Sequence, residues 1–293
     1  MQMTEFHVLN ILAEELNMRK ASERLYVSQP ALSQRLQSIE QRWGAKLFIR
    51  SQKGLTLTPA GEKVIEFVNQ TIQTEEEIRD EVLSMGDVVH GTLKLAVASI
   101  IGQYWLPKVL KEYVDRYPNV KISLVTGWSS EVQRQLYRDH FHVGVIRGYP
   151  DWKGPKEHLL SDELHLVDTK IRSLGELEET TRPFIQFKSH STYYQEIQDW
   201  WVRQFKSSPK RTIVVDQIET CKQMALNGIG YAILPSISLP KQDPHFHTIP
   251  IMNEKKEPLI RDTWIIYSEA AQQLKQVKAF IDLIKEMKEN GVT

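Results

Sequence analysis

Residues 28–58, SQPALSQRLQSIEQRWGAKLFIRSQKGLTLT, change hydrophobic period in mid-course. Leu32, Leu36, Ile39 and Trp43 recur at steps of four, three and four, which predicts one buried stripe on a helix. LFIR and LTLT then flank SQKG, two short β-prone runs around a glycine-containing turn, which predicts a hairpin. Ser28 stands where an N-cap belongs, and Pro30 is tolerated in a first helical turn. Upstream, Phe6, Leu9, Leu12, Ala13 and Leu16 predict a helix over 5–16 with Asn17 as its stop. Ala21 and Leu25 mark the inner face of a short second helix, which YVS interrupts before Ser28.

The helix opening at Ser28 has an unusual outer face: Gln29, Ser33, Gln34 and Gln37 lie away from its apolar stripe. A merely solvated face prefers Glu, Lys and Arg, which have better helix propensity than Ser. Two short helices joined by a tight turn, the second with a small-polar face, make a helix-turn-helix whose second helix fits the DNA major groove. Glutamine pairs with adenine in bidentate fashion and serine serves several bases, whereas an acidic face would be repelled by phosphate. Arg35, Arg42, Arg50 and Lys53 are candidates for phosphate contact, which adds affinity without sequence information. A plain solvent-facing role remains open for the helix taken alone; helix, turn, helix and wing together favour DNA.

The charge distribution agrees. Residues 1–58 hold eight basic and five acidic residues, and residues 59–90 hold two basic and eight acidic, although the whole chain sums to zero. A basic head beside an acidic segment expects only the head to meet a polyanion. From Pro59 a helix is expected, with Val64, Val68, Thr71, Glu75, Ile78, Val82 and Met85 as a heptad seam that would pair with a second chain. EEEIRDE reads as its solvated face rather than a metal site.

The stretches ASERLYVSQPALSQRLQSIEQRWGAKLFIR and LTLTPAGE carry a resemblance. Residues 1–65 resemble the winged helix-turn-helix of LysR-type transcriptional regulators, and the later segments follow that family's order. The resemblance implies that Ser28, Gln29, Pro30, Ser33, Gln34, Arg35, Gln37, Arg50 and Lys53 form the DNA-binding set. It implies a linker helix that pairs two heads on one promoter site.

Beyond residue 88 strands and helices alternate. TLKLAVAS, KISLVTG, FHVGVIRG, PFIQFK, TIVVDQ, YAILPS and RDTWIIYSE read as strands; helices are expected at 102–117, in SSEVQRQLYRD, at 192–205, at 218–227 and over the last twenty residues. This is an α/β pattern, and ligands of such sheets bind at the carboxyl ends of strands. Residues at those ends are Ser99, Thr126, Ser129, Ser130, Arg147, Lys188, Ser191, Thr192 and Gln217, with Arg261 entering the last strand. Three cations with several hydroxyls and no acid among them suit an anion with several carboxylates. The alternative pairs Arg147 with Asp151 and Arg261 with Asp262.

The family resemblance implies an effector domain similar to periplasmic binding proteins, with two α/β subdomains around a cleft. Its expected parts are residues 89–162 with 267–293, and 163–266, following a head at 1–58 and a linker at 59–88; the chain would cross between subdomains near 162–165 and 262–266. LKLAVASIIGQ, ISLVTGWSSE, RPFIQFKS and VDQIETCKQMALNGIGYAILPS resemble citrate-responsive members of the family that control tricarboxylic-acid-cycle genes, and Ile101 joins the ligand-binding set through them. The expected partners are double-stranded promoter DNA, an anionic metabolite, citrate first, and further copies of the chain as a homodimer or homotetramer. Malate, isocitrate or a sugar phosphate would use similar groups, and repression and activation can use the same fold.

Other classes fit less well. No Walker, H-E-x-x-H or nucleophile-elbow motif is present, so no enzyme and no cofactor are expected. A solute-binding protein would leave the head unexplained. His140/His142 and His245/His247 read as surface histidines rather than metal ligands, and the one cysteine, Cys221, as packed in a helix. The N-terminus lacks a basic, apolar leader and no run approaches membrane-spanning length, which leads to the expectation of a cytoplasmic protein without membrane contact.

Overall fold

A computed structural model of the chain describes residues 3–291 apart from 52–53, 85, 87, 139, 189–191 and 240–245. The chain forms two compact units, Met1–Leu83 and Ser84–Thr293.

In the first unit, α1 (Met3–Glu15), α2 (Met18–Arg24) and α3 (Gln29–Trp43) lead into β1 (Phe48–Ser51), β2 (Gly54–Leu57) and α4 (Pro59–Ser84). Asn17, expected to stop α1, acts as the N-cap of α2: its side chain accepts the Arg19 and Lys20 N–H groups at 3.0 and 3.1 Å. Leu32, Leu36 and Ile39 are buried as their spacing requires. Trp43, expected as the end of that stripe, is 39 % exposed and meets Phe67 edge-on at 6.1 Å. The reason is its place at the last helical position, where Gly44 turns the chain away at φ +62°. Residues 48–51 and 54–57 pair antiparallel, Phe48 opposite Leu57 and Arg50 opposite Leu55.

The heptad seam expected along α4 divides. Val64 and Val68 are buried in the core of the first unit with Ile65, while Ile78 and Val82 are exposed, and Met85 lies outside the described residues. The head therefore covers the first turns of the stripe and leaves the later ones open.

The second unit runs β3 (Gly91–Ala98), α5 (Ser99–Tyr104), α6 (Leu106–Arg116), β4 (Val120–Gly127), α7 (Ser129–Leu136), β5 (Val143–Arg147) and β6 (Lys156–Asp168). It continues with β7 (Phe184–Phe187), α8 (Thr192–Phe205), β8 (Thr212–Val215), α9 (Ile218–Leu226), β9 (Tyr231–Pro235), β10 (His247–Pro250), β11 (Ile260–Tyr267), α10 (Glu269–Gln273) and α11 (Lys275–Glu289). The single helix expected over 102–117 is two, because Pro107 in the first turn of α6 has no N–H to extend α5. Strands β6 and β10 escape the sequence reading: KEHLLSDELHLVD mixes charge and apolar residues too evenly to show one period.

The sheet order is β4-β3-β5-β11-β6-β9-β7-β8, with β10 on β6. Strand β6 passes between two lobes: residues 156–163 pair with β11, and residues 164–167 pair with β9. The chain returns through 251–259, where Leu164 donates to the Leu259 carbonyl at 2.8 Å and accepts the Ile251 N–H at 3.0 Å. The return position expected at 262–266 falls inside β11, which pairs with β5 of the first lobe. Each lobe buries apolar residues on both faces of its sheet, the first around Val97, Tyr113 and Phe280 on one face and Ala96, Val132 and Ile266 on the other, the second around Phe184, Trp201 and Tyr231 on one and Ile185, Cys221 and Ala232 on the other.

Candidate functional site

In the first unit, α3 presents Gln29, Pro30, Gln34, Arg35 and Gln37 to solvent. Two of the serines expected beside them are already engaged. Ser28 caps α3 by accepting the Ala31 N–H at 3.3 Å, and Ser33, half-buried, accepts a hydrogen bond from the Arg50 guanidinium at 2.7 Å. Arg50 thus crosses from β1 to α3 and places its charge at the edge of the polar face. Arg42 is ion-paired with Glu5, and Lys53 lies outside the described residues. The structure adds two exposed positions that periodicity does not single out: Ser38 on α3, and Tyr26, 96 % exposed at φ +55° in the turn between the two helices.

In the second unit, six strand ends from the two lobes meet around one cavity. Ala98, Gly127, Arg147, Phe187 and Pro235, the last residues of β3, β4, β5, β7 and β9, line it together with Asp216 just after β8. It leaves about 50 Å³ for the centres of water-sized molecules and opens to solvent on one side. Of the expected ligand residues, Ser99, Ser129, Arg147, Gln217 and Arg261 come together here. Thr126 is exposed in an adjoining groove. Ile101 is buried in the first lobe's core, and its neighbour Ile100 lines the cavity instead. Ser130 and Lys188 are exposed and not part of the lining, Ser191 lies outside the described residues, and Thr192 is the first residue of α8.

Both arginines are buried, at 6 and 5 % exposure, and both hold carboxylates that differ from the expected ones. Arg147 engages Asp162 of β6 through both terminal nitrogens, one bond at 3.2 Å. Arg261 donates to Glu196 of α8 at 3.1 Å and lies over the Tyr193 ring at 4.8 Å. Asp262 instead accepts from Ser161 at 2.6 Å, and the Asp151 carbonyl accepts from Tyr137 at 2.8 Å. Burial pulls the Arg261 pKa down, and the Arg147 charge adds to that pull, a sign that the two cations face one space. Acids therefore sit beside the expected cations: Asp216 lines the cavity and Asp162 pairs Arg147.

Helix starts complete the lining. Trp128 and Gln217 are the N-caps of α7 and α9, and neither side chain caps its helix. Two helix N-termini therefore direct backbone N–H groups and positive dipole ends at the cavity. Ser129 serves the strand instead: its hydroxyl accepts the Arg147 N–H at 2.9 Å and fixes the end of β5. Across the rim, the Tyr104 hydroxyl of α5 donates to Glu219 of α9, and Lys222 donates to the same hydroxyl at 2.8 Å.

Residues 3–62 match the bacterial regulatory helix-turn-helix proteins of the lysR family, and residues 86–289 match the LysR substrate binding domain. The chain belongs to the LysR family of transcriptional regulators. It is 62 % identical over 287 residues to an uncharacterized HTH-type transcriptional regulator of Bacillus subtilis (strain 168), YkuM, covering 98 % of each chain. It is 38 % identical over 278 residues to a second, YraN, of the same organism, covering 95 % of each. The fold is shared with CbnR in a complex with its target DNA (TM-score 0.71, 20 % identity, 98 and 99 % of the two chains). It is also shared with a full-length OxyR variant from Pseudomonas aeruginosa (TM-score 0.65, 18 % identity, 97 and 95 %).

The regulator thus couples a DNA-binding head to an effector-binding domain. Among its described residues no helix is long and apolar enough to cross a membrane, and no three His, Cys, Asp or Glu side chains group as metal ligands. His142, expected at the surface, is buried at 6 % exposure; His140 is exposed, and His245 lies outside the described residues. Cys221 is buried, donates to the Ile185 carbonyl at 3.8 Å, and has its pKa pushed up to about 12 by burial, so it is a packed thiol rather than a nucleophile.

Proposed function

We propose that this regulator binds promoter DNA through the α3 face and the wing, and that a small carboxylate anion in the inter-lobe cavity, citrate in the first instance, alters that binding. The observation that carries the reading is the meeting of Arg147 and Arg261 with the starts of α7 and α9 around one cavity. A carboxylate there takes up the unused guanidinium hydrogens and the helix N–H groups together. Citrate in particular rests on the likeness to catabolite control protein C, a citrate-responsive regulator of tricarboxylic-acid-cycle genes. The counter-argument is electrostatic: Asp162 and Glu196 already occupy the two arginines, so a trianion must share them. A regulator of another pathway, with a less charged carboxylate as effector, is the second reading that this observation favours.

Gln29, Gln34 and Gln37 are assigned to base edges, and Arg35 and Arg50 to phosphate. The exposed Ile78 and Val82 of α4 are assigned to pairing with a second copy, which would bring two heads to one site. Calorimetric titration of citrate, malate and isocitrate into the full chain tests the effector, with Arg147→Ala and Arg261→Lys beside it. Selective citrate binding that both variants lose supports the proposal. Absence of citrate binding returns the effector to the less charged carboxylates.

A further inference from the structure

The recognition helix and the wing are tied by one buried side chain. Glu40, in the last turn of α3, is 6 % exposed. Its carbonyl accepts the Ala45 N–H at 3.2 Å. Its Oε1 accepts the Leu47 and Phe48 N–H groups at 2.9 and 3.3 Å, and its Oε2 accepts the Lys46 ammonium at 2.7 Å. Each residue of the turn 45–48 is therefore bonded to residue 40. Burial would raise the carboxyl pKa, yet the Lys46 and backbone bonds together hold it below its usual value, so the group is a carboxylate at neutral pH.

That turn delivers β1. Arg50 lies two residues beyond Phe48, on the strand whose first N–H Glu40 holds, and its guanidinium returns to Ser33. Ser33 and Glu40 are seven positions apart on α3 and so share a face of the helix. The two ties fix the strand alongside that face at both ends. A hairpin of two four-residue strands has little stability of its own and takes its angle from what it is docked to. The far side of the hairpin is held separately: the Thr58 hydroxyl donates to the Lys46 carbonyl at 2.7 Å, and the Thr58 N–H to the Leu47 carbonyl at 3.0 Å. The Leu55 N–H of β2 also donates to the Leu16 carbonyl at 2.7 Å, and Leu47, Phe48 and Leu55 are buried in the head core, so loss of Glu40 leaves the wing attached and releases only the start of β1 from α3.

We propose that Glu40 is a positioning residue for DNA binding. Its carboxylate sets the angle between α3 and the wing so that Arg50 meets the DNA backbone in register with the polar face of α3. This rests on the assignment of Arg50 to phosphate. A Glu that merely stabilised the head would lower the folded fraction without touching the number of phosphates neutralised.

The test uses the full chain and a duplex selected by the wild-type protein from a random-sequence pool, with affinity measured across a salt series. Arg50→Ala is expected to weaken binding about tenfold and to lower the salt slope by about one. Glu40→Ala is expected to do the same, and the double variant to lose no more than about twofold beyond either single, because the two changes remove one contact. Glu40→Gln keeps an acceptor for the Leu47 and Phe48 N–H groups and should stay within about threefold of wild type. If Glu40→Ala does not fold, Glu40→Asp, which keeps the charge but shortens the reach, takes its place with the same expectation. Additive losses, or a wild-type salt slope in a folded Glu40 variant, overturn the positioning role. An Arg50→Ala protein with unchanged affinity and slope removes the phosphate assignment and this proposal with it.

Discussion

Arg147 and Asp162 are the residues on which the effector reading turns. Asp162 neutralises Arg147 within a buried pair, so an anion entering the cavity competes with a carboxylate that is already there. Asp162→Asn should lower the thermal midpoint of the ligand-free protein, because a buried guanidinium loses its counter-charge, and should increase the rise in midpoint that citrate produces. A variant whose midpoint does not respond more strongly to citrate than wild type would remove Asp162 from effector selection. His142 gives a second prediction at this scale. Its Nδ1 accepts the Lys94 N–H at 3.2 Å, and burial, aided by the Lys94 charge, brings its pKa down from 6.5 to about 4. The folded pKa is the lower one, so between these values the unfolded chain takes up a proton that the folded chain refuses. Stability is complete above about 6.5 and falls as the pH drops toward about 4, by on the order of 3 kcal/mol. Chemical denaturation between about pH 7 and pH 4.5 should show a shallower loss in His142→Gln; equal losses would exclude His142 as the cause.

Elements set the next level. Helices α5 and α9 belong to different lobes and meet through Tyr104, Glu219 and Lys222, beside cavity residues Gln103 and Ile218. Tyr104→Phe removes the hydroxyl on which Glu219 and Lys222 converge and keeps the ring under the Lys222 ammonium, 4.9 Å from its centroid. The lobes should then spend less time against each other, and effector affinity should fall several-fold, roughly the worth of one hydrogen bond, about 1 kcal/mol. Calorimetry on the folded variant decides it, and an unaltered affinity would mean that the contact has no bearing on the cavity. Helix α4 makes a separate prediction. Ile78→Glu with Val82→Glu puts charge on its exposed apolar turns and should shift sedimentation toward monomer while leaving the head folded, since the head core takes Val64, Ile65 and Val68 from this helix, with Ala60 and Ile72 packed against them, and neither Ile78 nor Val82. Sedimentation unchanged from wild type would place the pairing surface elsewhere. Because Ser33 holds the Arg50 guanidinium, Ser33→Ala should lower the salt slope of DNA binding as well as weaken base preference.

For the whole molecule, an effector can alter promoter binding only by binding the free and DNA-bound arrangements with different affinity. If citrate changes affinity for the selected duplex by some factor, that duplex must change citrate affinity by the same factor. Titrating citrate into the full chain with and without saturating duplex measures both legs. Equal citrate affinities in the two titrations would show that the cavity and the head are not coupled through citrate.

Much of this organisation is local and so could be read in the chain. The spacing of Leu32, Leu36 and Ile39, the cap at Ser28 and the pairing of β1 with β2 depend on residues within a few positions of each other, and the structure has them as expected. Strand ends were legible for the same reason, which is why Ser99, Ser129, Arg147, Gln217 and Arg261 could be placed in one cavity beforehand. What faces them was not. Asp162 sits on a long antiparallel strand without a clear period, and Glu196 and Tyr193 meet Arg261 across 65 and 68 positions of chain. Glu40 reads as one more charge on a polar helix until the turn folds back and gives its carboxylate three donors. Periodicity and caps are short-range and determined the elements and the strand ends that line the cavity. Which carboxylate neutralises which arginine, and which side chain aims the wing, follows from distances between segments far apart in sequence, and those distances exist only once the sheet and the turn have closed.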